Sequence, residues 1–142
     1  NDPSNKDFKY KRSRIREIIQ KLKDEKFDFK KIKLTISNLT KSNDVIEFYV
    51  NNNLDKNTIY LKKKFVILKH NFFLQPDEIV FRSFSKILSD VGGKYYSSRG
   101  KKISTMIHGI VSKNFSKATL SGCTIEKTKK LTIIYPESLK KL

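Results

Sequence analysis

A chain of 142 residues is long enough for one ordinary domain or two small ones with a real core. With 37% hydrophobic residues, ten Phe and six Tyr it is too apolar to remain disordered, and it has neither a run near the ~18 apolar residues of a membrane span nor a signal-peptide apolar region. The formal charge of +17 points first to a polyanionic partner, nucleic acid before any other, while the single cysteine, Cys123, cannot close an internal disulfide and suits a reducing, cytoplasmic setting.

Two readings of the charge stand side by side. The joint richness in Lys, Asn and Ile is what a strongly AT-rich genome yields without selection for RNA. A basic membrane-surface helix fits less well, because the lysines are spread along the chain rather than gathered on one amphipathic face. Arginine is the more selective signal. Only five of the 31 basic residues are arginines, and three of them are Arg12, Arg14 and Arg16. Arg82 and Arg99 flank a Gly-Gly turn. The planar fork of Arg suits phosphate better than the point charge of Lys.

In chain order, Asp2-Pro3-Ser4-Asn5 is turn chemistry. Ile15, Ile18, Ile19 and Leu22 then fall at i, i+3, i+4 and i+7 and predict an amphipathic helix. Arg12, Arg14 and Arg16 stand at or before its start, where positive charge opposes the helix macrodipole at about 0.3–1 kcal/mol each. A bound phosphate or an acidic neighbour would offset that, and the plain alternative is basic abundance. A second helix is expected over about Lys30 to Asn52, carrying Ile32, Ile36, Leu39, Ile46 and Val50 and ended by Asn51-Asn52-Asn53. Thr58 to Leu61 reads as a short strand, and Lys64 to Lys69 as strand or helix.

Gln75-Pro76-Asp77-Glu78 is a good helix start, with Pro in the first turn and carboxylates at the positive end. Val80, Phe84, Ile87 and Val91 form its buried stripe, and Gly92-Gly93 stops it. Ser98 can cap a further helix bearing Ile103, Met106, Ile107, Ile110 and Val111. The runs ATLSGCTIE and LTIIY read as two strands of a C-terminal hairpin, with Gly122 inside the first marking a bulge or a close backbone contact. The fold class is mainly α with a small β element (α+β): a helical region followed by a β-hairpin.

Chemistry is sparse. His70 and His108 lie in different segments without metal-ligand spacing, and Cys123 in a strand pattern reads as a small core residue. Asp24-Glu25 and Asp77-Glu78 are adjacent on helices and do not face each other as an acid/base couple would. VGGKYYSSRGK follows a helix rather than a strand and lacks phosphate-loop spacing. Tyr95 and Tyr96, between Lys94 and Arg99, are candidates for base stacking or for packing beneath neighbouring helices. The chain alone does not read as a complete enzyme.

D-P-S-N-x-D-x-x-Y-x-R-x-R-I-R, residues 2 to 16, resembles the segment of tRNA(Ile)-lysidine synthases where the ATP-pyrophosphatase domain passes into the helical part behind it, with Ser13 where that family often has Asn. L-S-D-V-G-G-x-Y-Y-x-x-R is followed by A-T-L-S-G-C, similar to a T-L-G-G-C block of the shorter family members, and by a closing L-T-I-I-Y-P-E in which Tyr135-Pro136 replaces the family's Arg side. The resemblance implies an ATP-dependent ligase, in a cytoplasmic setting, that joins L-lysine to the wobble cytidine of the isoleucine tRNA with a CAU anticodon. ATP, with Mg2+, would be bound by an upstream domain carrying the S-G-G-x-D-S loop, which is absent from this sequence. It further implies that residues 1–22 are the end of that domain and a connecting helix, 23–75 a helical or linker region, and 76–142 a tRNA-binding region. The chain is then expected to be the rear part of something larger. No catalytic residue carries over; Arg12 and Arg16 match the motif, with Arg14 between them, and Arg82, Lys94 and Arg99 belong to the trailing block where tRNA binding is implied. The rival expectations are a free-standing basic RNA-binding module and a structural ribosome-associated protein.

Overall fold

The structure, a computed structural model, describes residues 11–25, 27–61, 64–93 and 100–141. Helix accounts for 66% of it, beside a small five-stranded antiparallel sheet, so the fold is mainly α with a small β element. The chain divides into two compact units, residues 1–43 and 44–142.

In the first unit, helix α1 (Lys11–Asp24) forms where the Ile spacing predicts it, but none of its residues is buried and Ile15, Ile18 and Ile19 are exposed. Local pairs support it: Glu17 with Lys21 at 2.8 Å and Gln20 donating to Asp24 at 2.9 Å. Helix α2 (Phe29–Asn57) opens on Asp28, whose Oδ1 accepts from the N–H groups of Lys30 and Lys31 at 3.0 and 3.1 Å. That side chain satisfies two of the four orphan donors of a helix start. Asp28→Ala is therefore expected to remove about 1 kcal/mol of helix stability, measured as reduced helical circular dichroism on gentle heating. Ile32, Ile36 and Leu39 are exposed, Leu39 by 64%, so the expected stripe is present in the helix without being covered in its first half.

The expected stop of α2 at Asn51-Asn52-Asn53 is not observed; the helix continues to Asn57. Asn53 is 2% exposed and acts as a core hydrogen-bonding residue rather than a terminator. Its Nδ2 donates to the Phe72 carbonyl and to Ser83 Oγ, both at 3.3 Å, and its Oδ1 accepts from Asn57 at 2.9 Å.

Strand β1 (Thr58–Leu61) follows without a loop and pairs antiparallel with β2 (Phe65–Lys69). A 3-10 turn, His70–Leu74, leads into α3 (Asp77–Gly92), then α4 (Gly100–Val111) and the meander β3 (Lys117–Leu120), β4 (Cys123–Lys127) and β5 (Leu131–Pro136). The sheet order is β1-β2-β5-β4-β3. The C-terminal hairpin of the sequence reading is thus β4–β5, built into a larger sheet because β5 returns to pair with β2, Val66 opposite Ile134. α3 lies across β2, β5 and β4, burying Val80, Phe84, Ile87 and Val91 as expected, together with Ile79, Ser83 and Leu88. Beneath it sit Val66, Leu68, Ile125 and Ile134, with Ile103 and Ile110 from α4.

Besides Lys64 (φ 95°) between β1 and β2, positive-φ residues stand in two turns that meet each other. Gly93 (φ 62°) caps α3, its N–H donating to the Ser89 carbonyl. Ser121 (φ 56°) and Gly122 (φ 77°) form a two-residue hairpin turn between β3 and β4, the primed geometry that needs left-handed backbone at both positions. ATLSGCTIE is therefore two strands and a turn, and Gly122 is neither strand nor bulge. Gly122 does make a close backbone contact, its carbonyl accepting from the Glu137 N–H at 2.8 Å, and Gly92 meets the same turn: a Cβ there would overlap the Ser121 carbonyl oxygen and press on Cys123 Sγ at 3.1 Å. The end of α4 is closed by Lys127, whose Nζ donates to the carbonyls of Ile110 and Ser112, a cation placed on the negative helix end.

Candidate nucleic-acid interface

Arg12, Arg14 and Arg16 all lie in the first two turns of α1 and are exposed. Arg12 and Arg16 share one face of the helix at i, i+4, and Arg14 points to another. No acidic residue occupies the first described turn of α1, and the exposed guanidinium groups attract anions by their charge and fork geometry.

Arg82 is placed differently. It stands on α3 with its side chain 33% exposed, its Nε 2.7 Å from Glu78 and its Nη1 3.3 Å from Glu47 on α2. The hydrogen bond to Glu78 foremost, with Glu47 adding to it, raises the guanidinium above its already high ordinary pKa. Arg82 is a strut between the second half of α2 and α3, reinforced by Lys86 donating to Asn51 at 3.2 Å. Lys94 and Arg99, with Tyr95, Tyr96 and Ser98, lie outside the described residues.

Cys123 is buried, with its thiol directed at the Leu88 carbonyl at 3.5 Å. His70 and His108 are exposed. Among the described residues no group of three or more His, Cys, Asp or Glu is placed to hold a metal ion, and no helix is long and apolar enough to cross a membrane. Asp77, Glu78 and His108 line an open cavity of about 510 Å³ between α3 and α4, floored by Phe73, Val80 and Phe81. Its carboxylates sit at the N-terminal turn of α3, where they complement the helix dipole.

The sequence reading passed over the face of the sheet opposite α3. Strand alternation puts Phe65, Ile67, Ile133 and Tyr135 there, opposite the buried Val66, Leu68, Thr132 and Ile134. Phe65 and Tyr135 meet across β2 and β5 in a stacked pair, 5.2 Å between centroids and 12° between planes. Tyr135 donates to Glu126 at 3.2 Å, and Lys117 pairs with the same carboxylate at 2.8 Å. The Lys117 ammonium, held charged by Glu126 first and by Tyr135 next, lies 6.0 Å from the Tyr135 ring centroid. The period-2 pattern Phe65-x-Ile67 and Ile133-x-Tyr135 was the available signal, but only the pairing of β2 with β5 brings the two together.

Comparison of the chain with protein-family models, with curated proteins and with solved structures finds no match.

Proposed function

We propose that this chain is an RNA-binding portion of a tRNA(Ile)-lysidine synthase, contributing tRNA contacts to a ligase that joins L-lysine to the wobble cytidine of the CAU-anticodon isoleucine tRNA in the cytoplasm. The observation that carries this reading is the exposure of Arg12, Arg14 and Arg16 on α1, within the segment whose sequence resembles that family. The net charge of +17 supports it. The chain's own residues act by neutralising phosphates, which releases condensed counterions and drives association. ATP and Mg2+ would be held elsewhere in such an enzyme. The S-G-G-x-D-S loop is absent from this sequence, and Gly92-Gly93 close α3.

The double substitution Arg12→Ala with Arg16→Ala tests the proposal. The slope of log affinity for tRNA against log salt is expected to become shallower by about 2, near 0.9 for each lost phosphate contact, and lysidine formation by the full-length enzyme to fall with it. An unchanged slope together with unchanged tRNA modification refutes the reading. A shallower slope with normal lysidine formation transfers the function to a basic RNA-binding module without a ligase role.

A further inference from the structure

We propose that the face of the sheet opposite α3 is a platform for unpaired RNA bases, centred on the Phe65–Tyr135 stack. This rests on the RNA-binding reading above and adds to it a second, chemically distinct contact surface. Three observations carry it. The rings are half-buried and stacked on each other on the two adjacent strands β2 and β5. Around them Ile67 and Ile133 are half-buried, and Ile59, Leu61 and Leu131 are exposed, Leu61 by 49%, so the face offers contiguous apolar and aromatic surface. Such surface takes the π-faces of bases irrespective of sequence.

Charge selects the occupant. The carboxylate of Glu126 on this face is paired with Lys117 at 2.8 Å. Lys129 and Lys130 stand exposed in the turn between β4 and β5. The phosphates of a nucleic-acid strand laid over the rings pass a chain of net charge +17. A duplex hides its bases and gains nothing from the rings, so the platform distinguishes single-stranded loops from stems. Beside Tyr135 in the register, the buried Thr124 Oγ1 has no hydrogen-bond partner among the described residues, an unmet polar group at the foot of the stack.

The test measures binding of the full chain to a labelled oligouridylate and to a blunt RNA duplex of equal charge, with Phe65→Leu, Tyr135→Leu and the ring-keeping Phe65→Tyr and Tyr135→Phe. Unchanged circular dichroism establishes that each variant is folded. Each Leu variant is expected to lose roughly tenfold in affinity for oligouridylate and nothing for the duplex, while the ring-keeping variants bind as the parent does. Leu variants that bind oligouridylate like the parent overturn the platform and leave the RNA-binding reading standing. Parent protein that binds neither probe overturns both. A parent that sediments as a dimer and becomes monomeric on Tyr135→Leu shows that a second copy covers this face, and the proposal falls.

Discussion

Gly92→Ala is expected to destabilise the 44–142 unit by about 3 kcal/mol, although helix propensity alone would favour Ala over Gly by about 1 kcal/mol. The two effects oppose, and sterics decides. Gly92 is the last residue of α3, and an added methyl meets the backbone carbonyl of Ser121. Ser121 sits in a hairpin turn that already uses left-handed backbone at both central positions, so it has little freedom to withdraw. The other flank of the methyl meets Cys123 Sγ, itself fully buried. Gly93→Ala provides the contrast. Among the described residues its Cβ would find only Lys64 Nζ at 3.8 Å, so the penalty there is the left-handed φ of 62°, about 1–2 kcal/mol. Urea midpoints of the two variants measure the difference, and a Gly92→Ala midpoint at or above the parent's would show that the turn yields.

The second large effect is expected at Asn53. Asn53→Ala removes the donor shared by the Phe72 carbonyl and Ser83 Oγ and the acceptor used by Asn57. Losing a buried hydrogen-bonding group costs about 1–3 kcal/mol per orphaned partner, and at a site 2% exposed no water replaces it. A total near 3 kcal/mol is expected, roughly a 12 °C fall in melting temperature. Asn53→Asp sharpens the test through its pH dependence. The new carboxyl would face a carbonyl oxygen without solvent, so its folded-state pKa would lie above the unfolded value. Its stability is then fully present below the unfolded pKa, near 3.9, and is lost as pH rises through the folded pKa. The variant should melt higher, relative to the parent, at acid pH than at neutral pH; a pH-independent deficit would mean that Asn53 acts through packing alone.

How much of this was legible in the sequence depends on whether a signal was local. α3 was readable from end to end because Pro76, the 80-84-87-91 stripe and Gly92-Gly93 agree with what the sheet demands of it. β1 was readable too, from four β-prone residues after the Asn run. Asn53 was misread because Asn is a common helix stop on its own, and only the approach of Phe72 and Ser83 makes it a core residue. Ser121-Gly122 was read as strand because the flanking residues on both sides are β-prone. On α1 and the first half of α2 the stripe reported amphipathicity, which is a property of one helix, and burial depends on a second surface. The candidate site divides in the same way. At Arg82 the stronger partner, Glu78, is an i, i+4 neighbour readable on one helix, whereas Glu47 is far away in sequence. The Phe65–Tyr135 pair was hidden for the same reason, since it exists only through the pairing of strands distant along the chain.

That pairing has a consequence for how the molecule comes into being. β5 sits in the middle of the sheet, yet it is the last strand of the sheet to be synthesised. A ribosome delivering this chain releases β1, β2 and α3 while the space between β2 and β4 is still empty. Until residues 131–136 emerge, β2 presents an open edge and α3 has only part of its floor, the kind of exposed strand that invites pairing with other chains. Cooperative assembly must wait for this long-range closure, which places this unit among slower-folding topologies than its helix content suggests.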